Sequence, residues 1–352
     1  MITIHELGHF LAARAFKVKI NEFAIGMGPK LVNKRSEKSG TLYSLRAFPI
    51  GGYVSMEGEN EASEKEGSFS GKPAWQKLII SLAGPAMNIF LGFILTFVLV
   101  IGLRDAQGII LTSTRIGEFA ENAISSESGL MLNDEIIKVG NTPVHTGTEL
   151  IYEISMQGSD AKEIYKTVDG EKVYLKVVYI DLTVIRNGEK TVLEDVMFLA
   201  DTSSGITTMG SPDFKVYREA AGFGSILKHT WFRSLSSVKM IWDNLIGLFT
   251  GRFGIEAMSG PIGTTEAIAT VAQDGWYSLL YFVTIITMNL GVFNLLPVLP
   301  LDGGHNLFHI YELIRRKPVP QKIEMALQIF GWVLMFGLII IVSVKDIIGL
   351  FN

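Results

Sequence analysis

Three uncharged apolar runs constrain this chain more than any other feature. Residues 78–103 and 276–301 are each 26 residues long without a charge, and residues 326–344 add 19 more. A bilayer core of roughly 30 Å is crossed by about 20 helical residues, so each run is long enough to span. One such run could be a buried core helix. Three of them predict a polytopic α-helical membrane protein.

The first sixteen residues make a fourth candidate of a different kind. Residues 1–16 carry His5, Glu6, His9 and Arg14, and at about 1.5 Å per residue they reach only ~24 Å. About four spans are therefore expected, the first of them shortened, with the true start of the protein upstream of Met1. Basic residues beside the spans set the orientation. Lys17 and Lys19 follow the first, Lys72 and Lys77 precede the second, and Arg315, Arg316, Lys317 and Lys322 separate the last two. The loops at 17–77 and 302–325 are expected in the cytoplasm. The middle region and the C-terminus are expected on the other side.

Within the first loop, residues 41–56 combine β-formers with a proline and the pair Gly51-Gly52, the pattern of a β-hairpin. Residues 57–67 are acidic and read as a solvated linker. The middle region, residues 108–211, is β-rich, and within 128–144 a Gly, an Asn-Asp and a Gly-Asn give turn signals. Further on, Leu227, Trp231, Leu235, Val238, Trp242, Leu245 and Phe249 recur at helical spacing, interrupted by Lys228, Arg233, Lys239 and Asp243. That segment is too charged to span. Its two tryptophans suit a helix lying in the membrane interface, and packing against the middle region suits it equally. The expected divisions are thus 1–16, 17–77, 78–103, 104–217, 218–275, 276–301, 302–325 and 326–348.

The chain has no cysteine, which excludes disulfides and thiolate metal sites and leaves a metal to His, Asp or Glu. Its net charge of −4 gives a nucleic-acid partner no electrostatic support. Two of the six histidines flank a glutamate in His5-Glu6-Leu7-Gly8-His9. Residues at i and i+4 lie about 40° apart on a helix, so both imidazoles can reach one ion, and Glu6, about 100° round from His5, can hold a water there. Zinc in such a site lowers its water's pKa and polarises a carbonyl, while the glutamate takes the proton. Ionisable groups in an apolar helix are costly and are normally functional.

A catalytic zinc usually takes three protein ligands plus water. Asp302 is the best candidate for the third. Pro297 and Pro300 break the helix before it, Gly303-Gly304 permits a tight turn, and irregular backbone at membrane depth is tolerated where it lines a cavity. Taken alone, that stretch would read as a helix-ending turn with Asp302 solvated; the first motif is what makes it a ligand candidate. His305 and His309 fall in a basic cytoplasmic loop, and His145 and His229 in the middle region and the amphipathic segment, where surface or packing roles are expected.

The two motifs, HELGHF at residues 5–10 and NLLPVLPLDGGH at residues 294–305, resemble in this order the site-2 protease family of intramembrane metalloproteases. More narrowly they resemble its bacterial members with a PDZ domain inserted between the second and third spans, of the regulator-of-sigma-E-protease kind. The resemblance runs essentially from end to end. It includes Gly84-Pro85-Ala86-Met87-Asn88, Gly51-Gly52-Tyr53-Val54 and Ser259-Gly260-Pro261-Ile262-Gly263.

The resemblance implies Zn2+ on His5, His9 and Asp302, with Glu6 as the catalytic general base. It implies that Asn294 helps to hold the substrate backbone, and that Asn88 either lines the same site or packs between helices, as Gly84 and Pro85 do. The hairpin near Gly51, Gly52, Tyr53 and Val54 would pair with an unwound substrate as an added strand. That fits the physics, because a helical peptide bond is shielded by its own hydrogen bonding and β-addition supplies the extended form. The fold implied is a polytopic α-helical membrane protein with a cytoplasmic β-hairpin loop and an inserted extracytoplasmic PDZ-like α+β domain. Residues 128–134 resemble the end of a PDZ helix and its following loop, in a peptide-binding or size-excluding module. Residues 152–200 are longer than one such domain needs, which counts against peptide binding in its groove.

The function implied is that of an intramembrane zinc endopeptidase of the bacterial cell membrane, its active site toward the cytoplasm. Its partners would be the lipid bilayer and single-span membrane proteins, among them anti-sigma factors or remnant signal peptides. The alternative is a non-catalytic membrane scaffold that captures peptides through the PDZ-like domain, in which residues 130–134 matter and Glu6 does not. A scaffold has no need of an intramembrane general base, which favours the peptidase. A transporter fits poorly, since no inverted repeat is evident.

Overall fold

The computed structural model describes residues 1–59, 65–106, 108–157, 161–168, 171–201, 209–251 and 260–349. Three helices in it are long and apolar enough to cross a membrane: Ala74–Gly102, Trp276–Asn294 and Gln321–Ile348. The chain forms two compact units. One comprises Met1–Leu95, Gly260–Asp274 and Ser278–Asn352, the other Thr96–Ser259 and Gly275–Tyr277.

The first unit opens with α1 (Ile2–Ala15), 14 residues long, which buries His5, Gly8, Phe10 and Ala13. Lys17, at φ 56°, turns the chain out of it. Strands β1 (Ile20–Arg35) and β2 (Leu42–Met56) then fold over α1. Each bends on itself, and glycines make this feasible, because Gly26 and Gly28 have φ of 85° and Gly51 has φ of 87°. As a result residues 22–25 are flanked by 52–55 on one side and by 42–45 on the other, while 30–35 pair with 42–46. Phe10, Ala13, Val18, Ile20, Val54, Met56 and Ile80 form the core beneath this sheet.

Two expectations need correction here. The hairpin is not made within residues 41–56; they are one arm, and the other is 20–35, a stretch whose lysines and glycines hid its strand pattern. The acidic segment after it is not a plain solvated linker either. Glu57 accepts from Asn21 Nδ2 at 3.4 Å and pairs with Lys65 at 2.9 Å, and Glu59 accepts the Met56 N–H at 3.1 Å. Residues 60–64 lie outside the described residues.

Helix α2 (Ala74–Gly102) carries the chain from the first unit into the second. There a short ladder of β3 (Arg104–Asp105) and β4 (Gly108–Ile109) leads into an eight-stranded sheet. Its elements in chain order are β5 (Thr112–Phe119), α3 (Ile124–Glu127), β6 (Glu135–Val139), β7 (Thr142–Pro143), α4 (Gly147–Met156), β8 (Lys162–Val168), β9 (Glu171–Arg186), β10 (Glu189–Asp201), β11 (Met209–Ser211) and β12 (Phe214–Arg218). The strand order is β11-β10-β9-β6-β5-β12, with β7 beside β6 and β8 beside β9. Alternating residues such as Val178, Ile180, Leu182 and Val184 on β9 are buried together with Leu150 and Ile154 of α4 and Phe198 of β10. Each such side chain contributes roughly 1.5–3 kcal/mol on leaving water.

The turn signals of residues 128–134 have a physical explanation. Asp134, buried, takes two hydrogen bonds of 2.8 Å from Arg186, which also donates to Gly129 O at 2.7 Å. Thr146 caps α4 by accepting the Glu149 N–H.

Helix α5 (Phe223–Phe249) lays its polar face on α4. Lys239 Nζ reaches Glu153 at 2.7 Å and Asp243 at 3.0 Å, Tyr152 donates to Asp243 at 3.0 Å, and the His145 and Phe232 rings stack 3.9 Å apart. Its apolar stripe of Leu227, Trp231, Leu235, Trp242 and Ile246 stays exposed. Helix α6 (Pro261–Gln273) returns to the first unit, where Asp346 Oδ2 accepts the N–H groups of Gly260 and Gly263, both at 2.9 Å. Ser259 of that motif lies outside the described residues. The chain ends with α7 (Trp276–Asn294), α8 (Asp302–Arg315) and α9 (Gln321–Gly349), which contains Asp346.

Candidate metal centre

Two helices approach closely because each offers a glycine. A Cβ on Gly8 of α1 would lie 2.2 Å from Ala83 O of α2, and a Cβ on Gly84 of α2 would lie 2.2 Å from His9 Nε2. No side chain larger than hydrogen fits at either place. Glycine inside a helix costs up to about 1 kcal/mol relative to alanine, and here it is what lets the His9 ring stand against α2.

Asp302 comes to this pair from the start of α8. Residues 295–301 leave the helical path after Asn294, and Gly303, Gly304 and Gly331 pack closely against them. A Cβ on Gly303 would meet Leu296 O at 2.2 Å, and one on Gly331 would meet Leu299 O well inside contact distance. The Leu299–Pro300 peptide is cis. Ser81 of α2 donates to Asp302 O at 3.3 Å, and the buried Lys77 makes a two-pronged pair with Glu312 at 3.0 and 3.1 Å. Both ends of α8 are thereby fastened to α2.

The result is one cluster. His5 Nε2 and His9 Nε2 are 3.2 Å apart, and Asp302 Oδ2 is 3.0 Å from the first and 3.4 Å from the second. Among the described residues it is the group of His and acidic donors whose spacing suits a metal ion. Four ligands about 2.05 Å from a tetrahedral zinc are separated by edges of about 3.3 Å, close to all three distances. Asp302 Oδ2 is also buried and takes no hydrogen bond of acceptable direction, although two imidazoles face it. His9 Nδ1 lies 2.8 Å from Ile80 O. A carbonyl can only accept, so the proton is on Nδ1 and the Nε2 lone pair is free for a metal. The donor set therefore fits zinc.

Glu6 stands beside these ligands on α1, and its Oε2 accepts the Val54 N–H at 3.1 Å. A Cβ on Gly52 would lie 2.9 Å from Ala24 O and 3.5 Å from Glu6 Cγ. Gly52 and Val54 thus touch Glu6 through the strand run whose other side pairs with β1. Gly51 and Tyr53 do not. Gly51 sits against Met27, and Tyr53 bonds to Arg46 within an ionic cluster on the sheet. There Glu22 accepts from Ser44 at 2.6 Å, Arg46 at 2.9 Å and Lys30 at 3.1 Å. Burial alone would raise the Glu22 carboxyl, but the donors Ser44, Arg46, Lys30 and Tyr53 outweigh it and hold the pKa at about 2.

Asn294 ends α7, half-buried, at the head of the loop that delivers Asp302. His309 packs against Phe69 with ring centres 5.8 Å apart; burial first, then Lys77 and His305, push its pKa down to about 4, so it is a neutral packing ring. The sequence reading did not single out Gly8, the Ile80 carbonyl or the Lys77–Glu312 pair. It took Gly84 for a packing residue. The one available signal was glycine inside apolar helices, which marks close approach without saying of what.

Residues 1–338 match the family model described as Peptidase family M50. A protein of Fusobacterium nucleatum, provisionally named a zinc metalloprotease, is 33% identical over 357 residues, covering 100% of this chain and 96% of its own. One of Clostridium acetobutylicum with the same kind of name is 30% identical over 350 residues, covering 99% and 94%. The zinc metalloprotease RasP of Shouchella clausii is 28% identical over 437 residues, covering 100% and 97%.

Proposed function

The chain belongs to peptidase family M50, the site-2 proteases, and on that premise we propose that it cuts single-span membrane proteins within or beside the bilayer, using His5, His9 and Asp302 as metal ligands and Glu6 as general base. It is a membrane metalloprotease and its cofactor is zinc. The observation that carries the assignment of residues is the spacing of three donor atoms at 3.0, 3.2 and 3.4 Å, with Asp302 lying 297 residues after His5 in the chain and a carboxylate next to them.

Bound zinc supplies Lewis-acid polarisation of the scissile carbonyl and eases deprotonation of water. Glu6 takes the proton from the attacking water and passes it to the departing amine. The strand at residues 51–54 would pair with an extended substrate segment next to Glu6, with a substrate carbonyl replacing Glu6 as the acceptor of the Val54 N–H. Asn294, at the mouth of the 295–301 loop, would hold the substrate backbone. The β-rich unit is read as a PDZ-like domain outside the cytoplasm that limits which substrates approach. The exposed stripe of α5, with Trp231 and Trp242, suits the membrane interface. The basic residues around 17–77 and 302–325 favour a catalytic side toward the cytoplasm of a bacterial cell membrane.

Glu6→Gln tests the role of the base. A tagged single-span substrate co-expressed with the variant should be cleaved about 10²–10⁴-fold more slowly, while zinc per chain is unchanged. Cleavage at the wild-type rate would reject the mechanism and leave a peptide-binding scaffold as the better reading.

A further inference from the structure

We propose that Asn88 is a positioning residue for His5: its side-chain carbonyl accepts the imidazole Nδ1–H and so turns the Nε2 lone pair toward the metal. This rests on the reading of His5, His9 and Asp302 as ligands. An imidazole that binds a metal through Nε2 must keep its proton on Nδ1, and an acceptor on Nδ1 fixes that form and the ring's orientation. His9 has such an acceptor in Ile80 O. For His5 the group in the equivalent place is the Asn88 amide, whose nearer atom, Nδ2, is 3.4 Å from Nδ1.

Asn88 is fully buried, and its Oδ1 has no hydrogen-bond partner. An unpartnered buried carbonyl is costly, because it has given up its water and gained no donor. The two ends of a primary amide have nearly the same shape and exchange by a half-turn. With Oδ1 toward the ring, the orphaned acceptor gains a donor and the Nδ1 proton gains an acceptor. With Nδ2 toward the ring, Nδ1 has to be the lone pair and the proton moves to Nε2. That is the atom 3.2 Å from His9 Nε2 and 3.0 Å from Asp302 Oδ2, and a proton there would block coordination. One amide therefore separates a metal-competent ring from an incompetent one.

The register of α2 supports the assignment. Ile80, Gly84 and Asn88 recur at i, i+4 and i+8, one face of the helix. Ile80 O holds His9, Gly84 leaves room for its ring, and Asn88 holds His5. The same face thus steadies both histidines from behind. An asparagine inside a spanning helix is expensive in lipid and is kept where it has a polar task.

The test is zinc affinity of the full chain purified in detergent, measured by competition with a chromophoric chelator, together with the visible spectrum of the cobalt-loaded protein. Asn88→Leu, of similar size and without an acceptor, should weaken zinc binding about 10–100-fold and alter the cobalt spectrum. Asn88→Asp, which still accepts the Nδ1–H, should bind at least as tightly as wild type. If Asn88→Leu is not recovered folded, Asn88→Ser takes its place with the same expected loss, its hydroxyl being too short to reach the ring. Affinity of the Leu or Ser variant within twofold of wild type, or equal losses in it and the Asp variant, would overturn the assignment alone. A wild-type chain that takes up no zinc would overturn the ligand set as well.

Discussion

Among the places where this chain shelters ionisable groups, the α4–α5 joint and the cluster at Asp302 treat them oppositely. Between α4 and α5 each carboxylate meets donors from the chain itself. Glu153 and Asp243 share Lys239, Glu149 takes Ser236, Thr146 and the His145 N–H, and Glu219 takes Lys228 and His229. At α1, α2 and α8, Asp302 faces two imidazole nitrogens, and among the described residues no Lys or Arg pairs with it. Charge balanced by lysine makes a structural joint. Lone pairs converging on one point are the arrangement a cation needs. The comparison teaches that a histidine near a carboxylate is not informative until the remaining donors around the carboxylate are counted.

The sharpest way to break that contrast is to add one methyl group to each region. Gly84→Ala should put its Cβ into the His9 ring, cutting proteolysis about 100-fold or more through misplacement of the ligand and releasing zinc, read by metal analysis. Gly224→Ala at the start of α5 meets nothing within 4 Å and should raise stability by about 0.4–1 kcal/mol with activity unchanged. Equal behaviour of the two variants would mean that close packing at Gly84 has no bearing on the site.

A second pair compares the lysines. Lys77→Ala leaves the half-buried Glu312 without its partner, and should lower stability by about 1–3 kcal/mol, loosen α8 beneath Asp302 and weaken zinc retention. Lys239→Ala leaves the buried Glu153 without its lysine and should cost a comparable ~1–3 kcal/mol, with zinc content unchanged. Denaturation in mixed micelles measures both stabilities, and metal analysis separates them: zinc is lost from the first variant and kept by the second.

The remaining effect concerns the sheet over α1. Glu22 has a folded pKa of about 2, below its ordinary value of 4.5. The stabilisation it provides is therefore present above about pH 4.5, where the unfolded chain is ionised, and is lost as pH falls from there through about 2. Protease susceptibility of residues 20–56 should rise across that window in wild type and stay level in Glu22→Gln, which should be about 1.5–3 kcal/mol less stable at neutral pH. A variant with the wild-type profile would assign the transition to other carboxylates.

Much of this was legible in the residues. The apolar runs announced the helices long enough to span, and His5-Glu6-Leu7-Gly8-His9 announced two imidazoles on one helical face by periodicity alone. The strand partner of residues 42–56 was not legible, because residues 20–35 mix lysine, glycine and asparagine with their β-formers and become a strand only through pairing. The roles of Gly84, Ile80 and Lys77 were hidden for a related reason. A backbone carbonyl or a missing side chain has no signature until a neighbour from another element stands beside it.

By itself, then, the sequence determined the local facts: which segments prefer lipid, where helices must end, and which histidines share a helical face. Those depend on neighbours along the chain. Only the tertiary structure decided that Asp302 comes within 3.4 Å of both imidazoles, that α2 backs them with a carbonyl, a glycine and an amide, and that the strand at Gly52–Val54 leans on Glu6. Those depend on distances between elements far apart in the chain, which are set by how closely glycine-bearing helices can pack, and no pattern of spacing within one element encodes them.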